Sequence, residues 1–198
     1  MKTLVPTDTI QCYRDIFVAN TFSHTLCDEV VEAYDKNSGL VYESGYGIEN
    51  RLDKSHVDCQ AINFHKNEAL KPLAGRVGKE FIKFLNGIIE QFPDYGKGLE
   101  QCIRGGEDVR VKRYREGVGH FDWHTDNSSQ GLSKRSISIL AYFNTPEEGG
   151  ETQFKIQDCE VKPEKGTIVA FPPNWTHPHR SKLVTKGNKY SCNIFLHM

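Results

Sequence analysis

The 198-residue sequence lacks any apolar run long enough to cross a bilayer, any Cys-x-x-Cys pair, any low-complexity tract and any internal repeat. A spanning helix needs about 20 consecutive apolar residues, so no membrane partner is expected. The N-terminal M-K-T-L-V-P-T-D has no apolar core, which argues against a secretory leader. Cys12, Cys27, Cys59, Cys102, Cys159 and Cys192 stand singly, excluding a thiolate zinc site or thioredoxin-type motif. With no export signal, reduced thiols and a cytoplasmic location are expected. An excess of one charge is missing too. The formal net charge of -1 argues against a broad polyanion-binding surface, and no nucleic-acid partner is expected.

What remains is an ordinary globular composition, 37% hydrophobic and 26% charged. It predicts one domain over residues 1–198 with a substantial core. Residues 10–20 read as a short strand leading to Ser23, a helix cap. Phe22, Leu26, Val30, Val31 and Tyr34 then recur at helical spacing until Asn37-Ser38-Gly39. Residues 40–65 are polar and Gly-punctuated, and predict a loop with one strand near Ala61–Phe64. A loop of that length suits a functional cover or a plain connection. A second helix begins near Pro72, carries Leu73, Val77, Phe81, Phe84, Leu85 and Ile88 on one stripe, and ends before Pro93. From Val109 onward the texture changes to short β-rich runs: 109–115, 120–126, 135–144, 152–156, 159–162, 166–171, 175–180 and 189–197. Strands at that spacing predict a sandwich or barrel. The fold class is therefore α+β, with helical support and loop over about 1–105 and a β core over about 106–198.

Chemistry collects in Y-R-E-G-V-G-H-F-D-W-H-T-D, residues 114–126, which holds His120/Asp122 and His124/Asp126. A His and a carboxylate two apart on an extended segment point the same way. With one more His from a facing strand they form the 2-His-1-carboxylate set of non-haem Fe(II) oxygenases. A lone His-x-Asp is weak, since it also fits a polar turn. The basic group Arg110, Lys112, Arg113 and Arg115 alternates with Val109 and Val111, and reads as a solvated strand face.

Downstream come R-S-I-S-I-L-A-Y-F-N (135–144), G-G-E-T-Q-F (149–154), G-T-I-V-A-F-P-P (166–173) and W-T-H-P-H-R-S-K-L-V-T-K-G-N-K-Y-S (175–191). In this order the motifs resemble Fe(II)- and 2-oxoglutarate-dependent dioxygenases of the prolyl 4-hydroxylase type, over about residues 108–195. The resemblance implies a double-stranded β-helix (jelly-roll) core with N-terminal helices packed on one sheet. It implies His124, Asp126 and His179 as metal ligands, preferred over His120/Asp122 and His177. Tyr114 would help hold the cosubstrate near the metal, while Tyr142 and Lys189 would bind its far carboxylate. The implied reagents are Fe(II), 2-oxoglutarate and O2, with ascorbate as an accessory reductant. His124 lies ten residues after Tyr114, where many collagen-type enzymes show nine. Gly149-Gly150 reads as a tight turn, Arg135 as structural, and Trp123 and Trp175 as core or rim.

The far carboxylate of the cosubstrate would enter a closed pocket, where an unpaired anion is costly and a cation with a hydroxyl donor answers the cost. The implied reaction couples oxidative decarboxylation of 2-oxoglutarate to C–H hydroxylation, with a proline-containing peptide or protein as substrate. A free amino acid is the rival substrate. A non-catalytic jelly-roll binding module and a zinc hydrolase are rivals from other classes.

Overall fold

The computed structural model describes residues 1–47, 49–102 and 105–197. The first half holds β1 (Lys2–Leu4), β2 (Gln11–Tyr13), β3 (Ile16–Asn20), α1 (His24–Lys36), β4 (Tyr42–Ser44), β5 (Val57–Asn63), α2 (Lys71–Gln91) and α3 (Pro93–Cys102). The second half holds β6 (Gly105–Gly106), β7 (Arg110–Tyr114), β8 (His120–His124), β9 (Arg135–Tyr142), β10 (Glu148–Gly149) and β11 (Thr152–Phe154). It ends with β12 (Cys159–Val161), β13 (Thr167–Phe171), β14 (His179–Ser181), β15 (Val184–Lys186) and β16 (Lys189–His197).

Hydrogen-bonded neighbours run β1-β12-β11-β14-β8-β5-β7-β16-β9-β13-β3-β2, and β10 pairs separately with β15. This mixed sheet is jelly-roll-like, and β5 is its corner. Val57 and Asp58 pair with β8, whereas Gln60–Asn63 pair with β7.

Period-two alternation sorts the side chains of this sheet. On β9, Ile137, Ile139 and Ala141 join the large core cluster, while Ser138, Leu140 and Tyr142 line an internal cavity. On β16, Tyr190, Cys192, Ile194 and Leu196 take the first side, and Lys189, Ser191 and Asn193 the second. The large cluster also contains Val30 and Tyr34 of α1 and Val77, Phe81, Leu85 and Ile88 of α2. The apolar helix stripes thus cover one sheet face, leaving the other for polar groups. Ser23 caps α1 by accepting a hydrogen bond from the Leu26 amide at 3.3 Å.

Four expectations need correction. Residues 10–20 are a hairpin, not one strand, because Arg14 and Asp15 both take positive φ (48° and 65°) in the turn. Such a two-residue turn normally carries Asn or Gly, so nothing in the sequence marked it. Residues 40–65 hold two strands where one was expected near Ala61–Phe64: β4 and β5 pair there, and β5 starts already at Val57 and is largely buried because it joins both halves of the sheet. The strand expected at 175–180 begins at His179 and runs to Ser181. The stretch 1–105 supplies core strands as well as helices, and α3 was unanticipated.

Candidate active site

His124 ends β8 and His179 begins β14, and the two are direct partners across the ladder. Asp126 lies two residues beyond His124, its amide bonded to the Pro173 carbonyl at 2.9 Å. His124 Nε2 stands 3.6 Å and His179 Nε2 3.5 Å from the Asp126 carboxylate oxygens. One donor atom from each of the three residues falls within 4.8 Å of the others.

Both rings are oriented from behind. His124 Nδ1 donates to the Asp122 carbonyl at 2.7 Å, and His179 Nδ1 to the His177 carbonyl at 3.0 Å. A carbonyl only accepts, so each Nδ1 carries a proton and each ring turns its Nε2 toward Asp126. Phe121 stacks on His124 at 3.6 Å, and Phe171 meets His179 edge-on at 4.7 Å. Burial pushes the His179 pKa down to about 4, so the ring is neutral at pH 7. Burial alone would push the Asp126 carboxyl up, but His179, His124 and the Ser138 hydroxyl, 2.6 Å away, outweigh it. The group is held well below the usual carboxylate range. Two imidazoles and one carboxylate converging on one point suit a divalent iron with positions left open.

The same cavity continues to Lys189, which is 2% exposed. Its Nζ donates to the Gly150 carbonyl at 2.8 Å and to Ser181 Oγ, and lies 4.2 Å from the Tyr114 ring centroid. No carboxylate lies within ion-pair distance of it among the described residues. Burial pushes its pKa down to about 7. Ser181 lies two residues past His179, so Lys189 is anchored about 7 Å along the strand from the histidine. Tyr142 is wholly buried and donates to Thr152 Oγ1 at 2.7 Å, and Tyr114 faces Lys189 across the ladder. Gly150 has φ +76°, and its carbonyl is the one that receives Lys189. All six expected site residues therefore line one cavity.

The rival histidines have other roles. His120 bonds the Val118 and Ser55 carbonyls, away from the cluster. His177 is buried, its ring bonded to Thr176 and to the Arg14 carbonyl, and it touches the site only through its own carbonyl. Arg135 ties Glu107 to the Asp126 carbonyl, and Trp175 is 78% exposed. The basic group is not a solvated face. Arg113 and Arg115 bond Gln60 and Asp58, while Arg110 and Lys112 line an open groove leading to the cluster. Ser138, Ser181, Thr152 and Phe121 were missed as site residues. Strand parity alone could have found Ser138 and Ser181, since the first shares a strand face with Tyr142 and the second with His179.

The region carrying this geometry has a family. Residues 109–197 match the model of the 2OG-Fe(II) oxygenase superfamily. This stretch is a 2OG-Fe(II) oxygenase domain. The family implies iron(II), 2-oxoglutarate and O2 as reagents. A chain of Acanthamoeba polyphaga mimivirus, provisionally named a prolyl 4-hydroxylase, is 25% identical over 203 residues, 92% of this chain and 74% of that one. The fold is shared with a Trichoplax adhaerens prolyl hydroxylase solved with a hypoxia inducible factor peptide fragment. Its TM-score is 0.75 at 15% identity, over 92% of this chain and 83% of that one. A viral collagen prolyl hydroxylase of Paramecium Bursaria Chlorella virus-1, solved as its 2OG complex, gives 0.64 at 23% identity, over 93% and 96%. No helix among the described residues is long and apolar enough to cross a membrane.

Proposed function

We propose that this oxygenase hydroxylates proline residues, at the 4-position, within a peptide or protein. The observation that carries the reading is one cavity with a His-Asp-His cluster at one end and, at the other, a buried lysine with no carboxylate within ion-pair distance among the described residues. That is the pattern needed by a short dicarboxylate held between a metal and a cation. In this reading His124, Asp126 and His179 hold iron(II), which supplies O2 activation coupled to 2-oxoglutarate decarboxylation.

Lys189 and Tyr142 take the far carboxylate, and Tyr114 closes the wall beside Lys189. Ser138 holds Asp126 in position, while Phe121 and Phe171 keep water from the histidine faces. The peptide would lie in the open groove that shares Lys112, Phe121, His124, Asp126 and Asn193 with the inner cavity. The prolyl assignment draws on the names of the relatives and on a groove open enough for an extended chain. We further assign residues 1–198 to a single working domain, with a double-stranded β-helix core and α1 and α2 as its outer support. Ascorbate would restore oxidised iron. A cytoplasmic site agrees with Cys12, Cys27, Cys59, Cys159 and Cys192 being free thiols; the Cys102 side chain lies outside the described residues.

The test is incubation with iron(II), 2-oxoglutarate and air, followed by succinate assay and mass spectrometry of proline-containing peptides. Succinate formation with one oxygen atom added to proline is expected. Turnover of free proline or another free amino acid without any peptide product would overturn the substrate. Turnover that needs neither O2 nor 2-oxoglutarate would overturn the reaction, leaving a zinc hydrolase. No turnover at all would favour a binding module.

A further inference from the structure

The groove in front of the cluster is cationic on a chain that is not. The sequence holds 25 Lys and Arg against 26 Asp and Glu, yet the groove is lined by Arg110, Lys112, Arg135 and Lys155 and by one acid, Asp126. Asp126 is committed to the two histidines. Arg110 and Arg135 share the single carboxylate of Glu107, which also receives His197. Lys112 and Lys155 have no carboxylate within ion-pair distance among the described residues.

Their positions are specific. Lys112 is half-buried and lies 5.8 Å from the centroid of Phe121, the ring stacked on His124. It borders both the inner cavity and the groove. Lys155 is exposed and lies 5.6 Å from the centroid of Trp123, two residues further along β8. A low-dielectric wall beneath each ammonium strengthens its pull on an anion arriving from solvent, and a cleft of one sign raises the local concentration of the opposite charge.

We propose that the groove selects an acidic peptide, with Lys112 and Lys155 receiving carboxylate side chains that flank the residue to be oxidised. The inference rests on the prolyl-peptide reading for the target residue, but not for the charge preference. Lys112 is then a specificity-determining residue at the mouth of the cavity, and Lys155 a second charge contact further out.

The experiment uses the full chain loaded with iron(II) and 2-oxoglutarate, with O2 excluded. Binding is read by fluorescence anisotropy with three proline-centred peptides carrying flanking glutamate, glutamine or lysine. The glutamate peptide should bind at least about tenfold more tightly than the lysine peptide at low salt, a gap that narrows as salt rises. Lys112→Gln should shrink the gap, and Lys155→Glu, an exposed change that leaves the fold alone, should move the preference toward the lysine peptide.

Equal affinities, a preference for lysine, or no peptide binding would overturn the inference. So would a Lys112→Gln chain that keeps the full acidic preference and loses 2-oxoglutarate affinity instead. Admitting O2 separates the two readings. Acidic peptides that bind without proline oxidation would leave the charge preference standing and sink the prolyl reading. Proline oxidation without charge preference would do the reverse.

Discussion

Binding of 2-oxoglutarate should draw a proton onto the protein above neutral pH, because Lys189 is buried with no carboxylate within ion-pair distance among the described residues. The ammonium is 2% exposed, and burial takes its pKa from 10.5 to about 7. That depression is worth about 5 kcal/mol against the charged form, at roughly 1.4 kcal/mol per pH unit. A carboxylate bonded to Nζ favours the charged form and lifts the pKa again. The sign follows. Below pH 7 the free lysine is already charged and no proton is needed. Above it the free lysine is neutral, so binding takes up a proton and affinity falls about tenfold per unit until the pKa of the complex is reached. Calorimetry on the metal-loaded protein without O2, at pH 8 in phosphate and in Tris, should give binding heats that differ by nearly one proton's ionisation. Lys189→Arg should keep binding and lose the pH slope, because guanidinium stays charged throughout. Equal heats in the two buffers, with flat affinity from pH 7 to 9, would refute the reasoning.

Other expectations are simpler to check. His179→Ala should abolish stoichiometric iron binding and succinate formation, while His177→Ala, which keeps the backbone carbonyl behind His179, should retain measurable turnover; iron titration of the two variants separates them. Ser138→Ala removes the 2.6 Å hydrogen bond to Asp126 and should weaken iron binding roughly 10–100-fold with little loss of melting temperature. Gly149→Ala should destabilise the fold by about 1–3 kcal/mol in denaturant titration, since its φ is +80° and an added Cβ would sit 2.2 Å from the Leu183 carbonyl oxygen.

Much of the β core could be read in the chain because its strands alternate. R-S-I-S-I-L-A-Y and K-Y-S-C-N-I-F-L-H show the two-residue period that later divides helix-covered from cavity-facing side chains. The first two helices announce themselves by stripe, cap and proline. The motif order also brought His124, Asp126, His179, Tyr114, Tyr142 and Lys189 into view. The hairpin at Arg14–Asp15 and the β4–β5 pair were hidden, the first by a turn without Gly or Asn, the second by burial on both faces of a corner strand.

The choice between neighbouring histidines belonged to the tertiary structure. His177 and His179 differ by two residues and are equivalent in strand parity, and His120 and His124 offer the same His-x-Asp spacing. Cross-strand register decides, because only His124 and His179 are partners on the β8–β14 ladder with Asp126 between them. The basic stretch 110–115 was misjudged for the same reason. Alternation separates two faces, but which face looks inward depends on the helices covering the other. Local sequence therefore determined which residue types were available and on which side of a strand they fell. The pairing of strands far apart in the chain decided which of them meet in the His-Asp-His cluster and which cations face the groove.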